Sequence, residues 1–263
     1  MNRITIIIPA HRCPCGQIRR LLPQLGEHDR IVVVVNGFPR GISCTHSFAQ
    51  SPAVQWLHAT SALGPARARN LGAMKVAGSS AFLFCDADDG VSSCWVEQLS
   101  RPLLTGTAEL VGGPLRVRGS KGQLTVVPPA INYRHSQALF GGNIGITSSA
   151  WRFLNGFNES LGCSEDTDLA WRAGARGMKI QVVMEAVVDV DFKPLIGEFR
   201  QRFQWGKGAV QLLRAHGMNL DLLPDFKTIL DDKKTTGFAR HPLTAALGEW
   251  AGQQFELIRK PSN

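Results

Sequence analysis

Long apolar runs are missing from this sequence. The longest, Ile6-Ile7-Ile8 and Ile31 to Val35, fall far short of the roughly 20 residues that cross a bilayer, so no integral membrane helix is expected. Charged residues make up 19% and hydrophobic residues 44%, ordinary globular values that exclude disorder, collagen and coiled coil. Cysteine is sparse: six in 263 residues, at the irregular positions 13, 15, 44, 85, 94 and 163. That is too few for a disulfide scaffold, and reduced thiols in a cytoplasmic protein are the expectation. His11-x-Cys13-x-Cys15 lacks a second Cys/His pair at zinc-finger spacing, so ordinary thiols are favoured over a structural zinc. The start, Met1-Asn2-Arg3 followed by Ile4-Thr5-Ile6-Ile7-Ile8, lacks the features of a secretory signal. No Gly-x-x-x-x-Gly-Lys-Ser/Thr occurs, which excludes a P-loop.

Positive charge is present in excess. Against 21 Asp and Glu stand 29 Lys and Arg, a net charge of +8. The basic residues are scattered, there is one Tyr, and no aromatic-basic stacking motif accompanies them, so nucleic acid is not the expected partner. An anionic ligand or an acidic membrane surface explains the excess equally well.

The first hundred residues alternate between strand and helix patterns. Thr5–Pro9, Ile31–Val35, Val54–His58 and Ala81–Cys85 read as strands, and Gln17–Leu25 as a helix ending near Pro23. A further helix opens after Gly64 with Pro65 at its first position. Continuous apolar strands joined by helices imply an α/β fold with a mostly parallel sheet covered on both faces. Ligands then bind beyond the carboxyl ends of the strands, at Pro9-Ala10-His11, Asn36-Gly37 and Asp86 to Asp89. Later come extended chain over 110–127 with a Gly119–Gly122 turn, a flexible Gly141-Gly142-Asn143 loop and a short helix near 148–154. A helix over Leu169–Ala175 is expected with Ser164 as its N-cap. Further helices are expected over 196–213, ending near Gly217, and over 242–260.

Two carboxylates separated by one residue, Asp86-x-Asp88, suit a hard cation such as Mg²⁺ or Mn²⁺; a capped helix start would use the same residues. Glu165-Asp166 could supply a general base or, again, a cap.

In order, Gly64-Pro65…Ala68-Arg69-Asn70-x-Gly72, Phe82-Leu83-Phe84-Cys85-Asp86-Ala87-Asp88-Asp89, Gly141-Gly142-Asn143, Gly156-Phe157-Asn158-Glu159 and Glu165-Asp166-Thr167-Asp168-Leu169-Ala170-x-Arg172 resemble the family 2 glycosyltransferases of GT-A fold. The resemblance runs from about residue 3 to 210. It implies a metal-dependent transferase that moves a sugar from a nucleoside-diphosphate sugar to an acceptor with inversion, on a Rossmann-like α/β domain. That domain would cover 1–215, with a nucleotide-binding half over about 1–110, an acceptor half over about 111–215, and a helical extension over 216–263.

Carried over by position, Pro9, Ala10, His11, Asn36, Arg69, Asp86 and Ala87 would border the nucleotide. Asp88 and Asp86 would meet the Mg²⁺ or Mn²⁺. Asp166 would be the catalytic base. Glu165, Gly141, Gly142 and Asn143 would lie at the donor sugar or acceptor, and Trp205 would stack on a sugar if it does not face the core. Asn36 stands where the family usually has Asp. Asp191 or Asp189 stands where many members carry a metal-binding His. Gln201–Trp205 only loosely echoes the Gln-x-x-Arg-Trp segment of processive synthases, which favours addition of one sugar. The acceptor implied is a small molecule, a glycan or a lipid-linked species. The C-terminal helix is open to core packing, a homodimer contact or peripheral membrane contact. A sugar-phosphate nucleotidyltransferase is the enzyme alternative, though its Gly-rich basic loop after the first strand is missing. A non-catalytic basic module binding nucleic acid or an anionic membrane surface is the other.

Overall fold

The computed structural model describes residues 2–37, 51–59, 63–118, 124–129, 138–191, 194–236, 239 and 241–259. The chain opens with β1 (Ile4–Ala10), α1 (Cys15–Leu21), β2 (Arg30–Val35), β3 (Val54–His58), α2 (Pro65–Met74) and β4 (Ala81–Cys85). It continues through β5 (Gly90–Val91), α3 (Trp95–Leu104), β6 (Leu110–Gly112), β7 (Leu115–Arg118), β8 (Leu124–Val127), β9 (Asn143–Thr147) and α4 (Ser148–Phe153). It closes with α5 (Glu165–Ala175), β10 (Ile180–Val182), β11 (Val188–Val190), α6 (Leu195–Ala215), α7 (Phe226–Thr236) and α8 (Pro242–Ile258). The expected Gly119–Gly122 turn and Cys44 lie outside the described residues.

Two compact units are present. The first comprises residues 1–115, 128–159 and 166–190. Its sheet has the order β10-β6-β9-β4-β1-β2-β3. β1 pairs in parallel with β2 and β4, and β2 with β3. β9 is antiparallel to both neighbours, β4 and β6. Ile6, Ile7 and Ile8 of β1 are all fully buried, as are Leu83 and Phe84 of β4. Unbroken burial along a strand requires cover on both faces, the arrangement expected of a parallel sheet. A Cβ at Gly72 would stand 2.6 Å from Ile7 Cγ2, so α2 lies against β1 with no room for a side chain.

The structure corrects three expectations here. Cys13 and Cys15, expected as free thiols, are joined by a disulfide. Their Cα atoms are 5.5 Å apart, within the span a disulfide bridges, and the bond leaves no thiolate for a metal clip with His11. Asn143 is not in a flexible loop; it starts β9. The helix expected from Leu169 begins instead at Glu165, and Ser164 has φ 67° rather than the extended backbone of an N-cap.

The second unit comprises residues 116–127, 160–165 and 191–263, and α6 belongs to it. There α6 and α8 run in the same direction and touch backbone to backbone. A Cβ at Gly206 would fall 1.9 Å from the Glu249 carbonyl oxygen, and one at Gly252 2.0 Å from that of Phe203. A buried charge pair joins α7 to α8: Lys233 Nζ of α7 is 3.0 Å from Glu249 Oε2 of α8 and 3.1 Å from its own neighbour Asp232 Oδ2. The Arg202 guanidinium, its pKa lowered by burial, lies 4.3 Å from the centre of the Trp205 ring. Among the described residues no helix is long and apolar enough to cross a membrane.

Candidate active site

The carboxyl ends of β4, β1 and β2 lie side by side. They carry Asp86, then Pro9-Ala10-His11, then Asn36. Because β9 runs opposite to β4, its first residue, Asn143, pairs with the last residue of β4, Cys85. That register delivers Gly141 and Gly142 to the acidic end of β4.

Space at these two glycines is filled by charge. A Cβ at Gly142 would lie 2.9 Å from Asp86 Oδ2 and 3.1 Å from Asp89 Oδ2. At Gly141 it would lie 3.0 Å from Arg69 Nη1. The Gly141 N–H donates to Asp166 Oδ2 at 2.8 Å, and the Thr167 N–H donates to Asp166 Oδ1 at 2.7 Å. One two-glycine turn therefore has the Asp86–Asp89 carboxylates on one side and the carboxylate at the start of α5 on the other.

Arg69 is 3% exposed and donates to Asp86 Oδ1 at 2.9 Å. The Arg69 guanidinium is thus buried against Asp86 at the carboxyl end of β4. The expectation that the Asn143 side chain borders a sugar is corrected by its burial. Asn143 is fully buried, accepts from Trp95 Nε1 at 2.8 Å, and donates to the carbonyls of Pro114 and Ala186 at 3.0 and 2.8 Å. Its side chain pins the start of β9 and has no surface for a sugar. The amide of Asn36 donates to the Leu63 carbonyl and accepts from the Leu63 N–H, so both its polar ends are engaged by backbone.

Asp88 lies 3.5 Å from Arg12 Nη2, with 30% and 59% of the two side chains exposed. His11 is exposed and accepts from Arg12 Nε at 3.3 Å. Ala10 and Ala87 are buried and Pro9 is half-buried. Glu165 is buried. Asp189 stands opposite Gly90 in the antiparallel β5–β11 pair, while Asp191 is exposed in the second unit. Trp205 also belongs to that unit, with Arg202 against its ring. Cys85, inside β4, is fully buried, and burial pushes its thiol pKa far up, so it is inert beside the carboxylates.

Several residues of the sequence pattern serve to hold others. Asn70 accepts from the Phe157 N–H and donates to the Phe157 carbonyl, each at 2.9 Å. Gly156 has φ 67°, and a Cβ there would meet Asn70 Oδ1 at 2.6 Å. Asp168, 1% exposed, binds Arg172, which also donates to the carbonyls of Leu154 and Gly156. These bonds fix the first turns of α5, and with them Asp166, to the end of α4. Asp89, inside the expected Asp86–Asp89 cluster, joins Asp86 against Gly142, whereas Arg12 beside Asp88 was not singled out by the sequence.

Among the described residues no three or more His, Cys, Asp or Glu gather in metal-binding geometry. The donors nonetheless fit Mg²⁺ or Mn²⁺, which take one or two carboxylates and complete their shell with water and substrate phosphates. Carboxylate oxygens crowd Gly142, and Asp88 is accessible.

Residues 5–156 match the family model described as glycosyl transferase family 2. Two curated relatives, the pre-mycofactocin glycosyltransferases of Mycobacterium tuberculosis strains CDC 1551 / Oshkosh and ATCC 25618 / H37Rv, are each 25% identical over 228 residues. The match covers 80% of this chain and 48% of theirs, so the chain spans about half the length of these relatives. Among solved structures, the mannosyltransferase PcManGT from Pyrobaculum calidifontis, in complex with GDP-Man and Mn²⁺, aligns with a TM-score of 0.66. The identity is 19%, over 94% of this chain and 73% of that one. GalNAc-T7 with UDP, GalNAc and Mn²⁺ aligns with a TM-score of 0.59 and 12% identity, over 95% and 56%. The shared fold is the GT-A type, a mixed α/β fold with a mostly parallel central sheet.

Proposed function

This chain belongs to glycosyl transferase family 2, and from that premise we propose that it transfers one sugar from a nucleoside-diphosphate sugar to an acceptor hydroxyl, with inversion at the anomeric carbon. The observation that carries the proposal is the Gly141-Gly142 turn, with Asp86 and Asp89 against one glycine and Asp166 bonded to the other.

The donor diphosphate lies at the carboxyl ends of β1 and β4. Asp88 and Asp86 would hold Mg²⁺ or Mn²⁺ there, which when bound offsets the negative charge gathering on the departing nucleoside diphosphate. Arg69 holds Asp86 aimed at the donor site. The Arg12–Asp88 pair is exposed, and such pairs contribute little, so it yields readily to a more highly charged ligand. Asp166 takes the acceptor proton. Its two oxygens are aligned by the Gly141 and Thr167 N–H groups, and positioned general bases typically contribute about 10²–10⁴-fold. Attack from the face opposite the leaving group gives inversion. The acceptor is a small molecule, a glycan or a lipid-linked species.

Thermal unfolding in the presence of UDP, GDP, dTDP or CDP, each with Mn²⁺ or with EDTA, tests the donor half. One diphosphate should stabilise the protein with Mn²⁺ and not with EDTA, by about 2.7 kcal/mol at a hundredfold excess over Kd. Asp88→Ala should lose that response while melting as the parent does without ligand. Indifference to all four nucleotides would refute the donor assignment.

A further inference from the structure

The second unit carries an apolar face that the other described residues leave exposed. On α6, Ile196 is 68% exposed and Phe199 37%; on α8, Leu247 is 42%, Phe255 52% and Ile258 84% exposed. The two helices contribute to one continuous surface. The rings of Phe199 and Phe203 stack at 6.4 Å, and Phe203 meets Phe255 across the helix pair at 5.6 Å. At a 100° step, Ile196, Phe199, Phe203 and Lys207 fall on one side of α6. Contiguous exposed apolar surface of this kind marks an interaction site.

Charge identifies what it meets. The acidic residues of α6 and α8 are Glu198, Glu249 and Glu256, and all three are buried. The exposed charge is all of one sign: Arg200 on α6 and Arg259 just past α8 are exposed. Lys207 Nζ sits 5.5 Å from the centre of the Phe255 ring, its stem along the apolar face and its ammonium at the edge. Apolar side chains rimmed by basic ones, with the acids of both helices turned inward and the exposed Asp231 and Asp232 on the neighbouring α7, match the surface of an anionic bilayer. A second copy fits poorly. Two-fold pairing through this face would set Arg200 and Lys207 near their own counterparts.

We propose that the α6–α8 face seats the protein on anionic lipid membranes, lying in the headgroup region with Ile196, Phe255 and Ile258 inserted. The proposal is independent of the donor-site reading. It is tested with the full chain by co-sedimentation with vesicles of phosphatidylcholine alone or with about one-third phosphatidylglycerol, at low and high salt. Binding to the anionic vesicles should exceed binding to the neutral ones by at least tenfold and weaken with salt, each basic side chain contributing about fivefold. Ile258→Glu, a surface change, should cut binding by more than tenfold with unchanged melting; Phe255→Ser should cut binding too, with some loss of stability because it also gives up the Phe203 contact. Arg200→Glu should cut binding to anionic vesicles alone. No binding to either vesicle would overturn the proposal, as would binding that Ile258→Glu leaves intact. Self-association that Ile258→Glu abolishes, without vesicle binding, would assign the face to a second copy instead.

Discussion

Replacing Asp166 with asparagine should abolish sugar transfer and leave metal-dependent nucleotide binding intact. The substitution keeps size and shape but removes the proton acceptor. Loss of a positioned general base costs about 10²–10⁴-fold in rate. A second effect comes from the backbone. Both carboxylate oxygens accept N–H groups, from Gly141 and Thr167, and an amide has only one accepting oxygen. Its NH₂ must face one of those donors, so a modest loss of stability, on the order of 1 kcal/mol, accompanies the loss of turnover. Asp166→Glu separates the two contributions, because it restores the carboxylate but displaces it. Misplacement by about 1 Å can cost 10²-fold, so it should also be slow while binding nucleotide normally. The readouts are nucleoside diphosphate released from the donor and the thermal shift with Mn²⁺ and nucleotide. An Asp166→Asn protein that turned over at the parental rate would remove Asp166 from the mechanism.

The largest stability effect should come from a single methyl group. A Cβ at Gly252 would stand 2.0 Å from the Phe203 carbonyl oxygen and 2.8 Å from its carbon. Neither atom can rotate away, since both belong to the backbone of α6. Gly252→Ala must therefore push α8 off α6 and loosen Gly206 and Gly248, which make the same kind of contact. Overpacking usually costs about 1–3 kcal/mol, and a backbone obstacle places this change at or above the upper end. Gly174→Ala is the matched control. That glycine is inside α5 with nothing within 4 Å of the added carbon, so the change should be neutral or stabilise by about 0.4–1 kcal/mol. Melting and limited proteolysis report both. Equal melting of the two variants would contradict the close crossing.

The parts of the fold legible in the sequence were those set by local pattern. β3 and β4 occupy the ranges read from their apolar runs, β1 and β2 extend theirs by a residue or two, and Pro65 opens α2 as its fixed φ favours. The acidic cluster after β4 was visible for the same reason, since a buried strand must end where charge begins. What escaped was decided by distant partners. Nothing in Asn143-Ile144-Gly145-Ile146 says that this strand enters the sheet centre backwards, yet that direction carries Gly141 to Asp166. Asn143 was placed at a sugar by resemblance to the family, and burial by residues far along the chain makes its side chain a support for β9. The Cys13–Cys15 bond was not legible because composition describes the whole chain, whereas a disulfide depends on one local separation, here 5.5 Å between Cα atoms.

The reversed strand also sets an order of assembly during synthesis. β1, β2, β3 and β4 can pair as soon as Cys85 has left the ribosome, and they then present β4 as an open edge. That edge stays open through the making of α3, β6, β7 and β8, and closes only when Asn143–Thr147 emerges to pair with it. An unpaired apolar strand edge is a template for other chains, and long-range pairing of this kind is slow. A nascent chain stalled before Thr147 is therefore the species most in need of a chaperone, and the species from which aggregation would start.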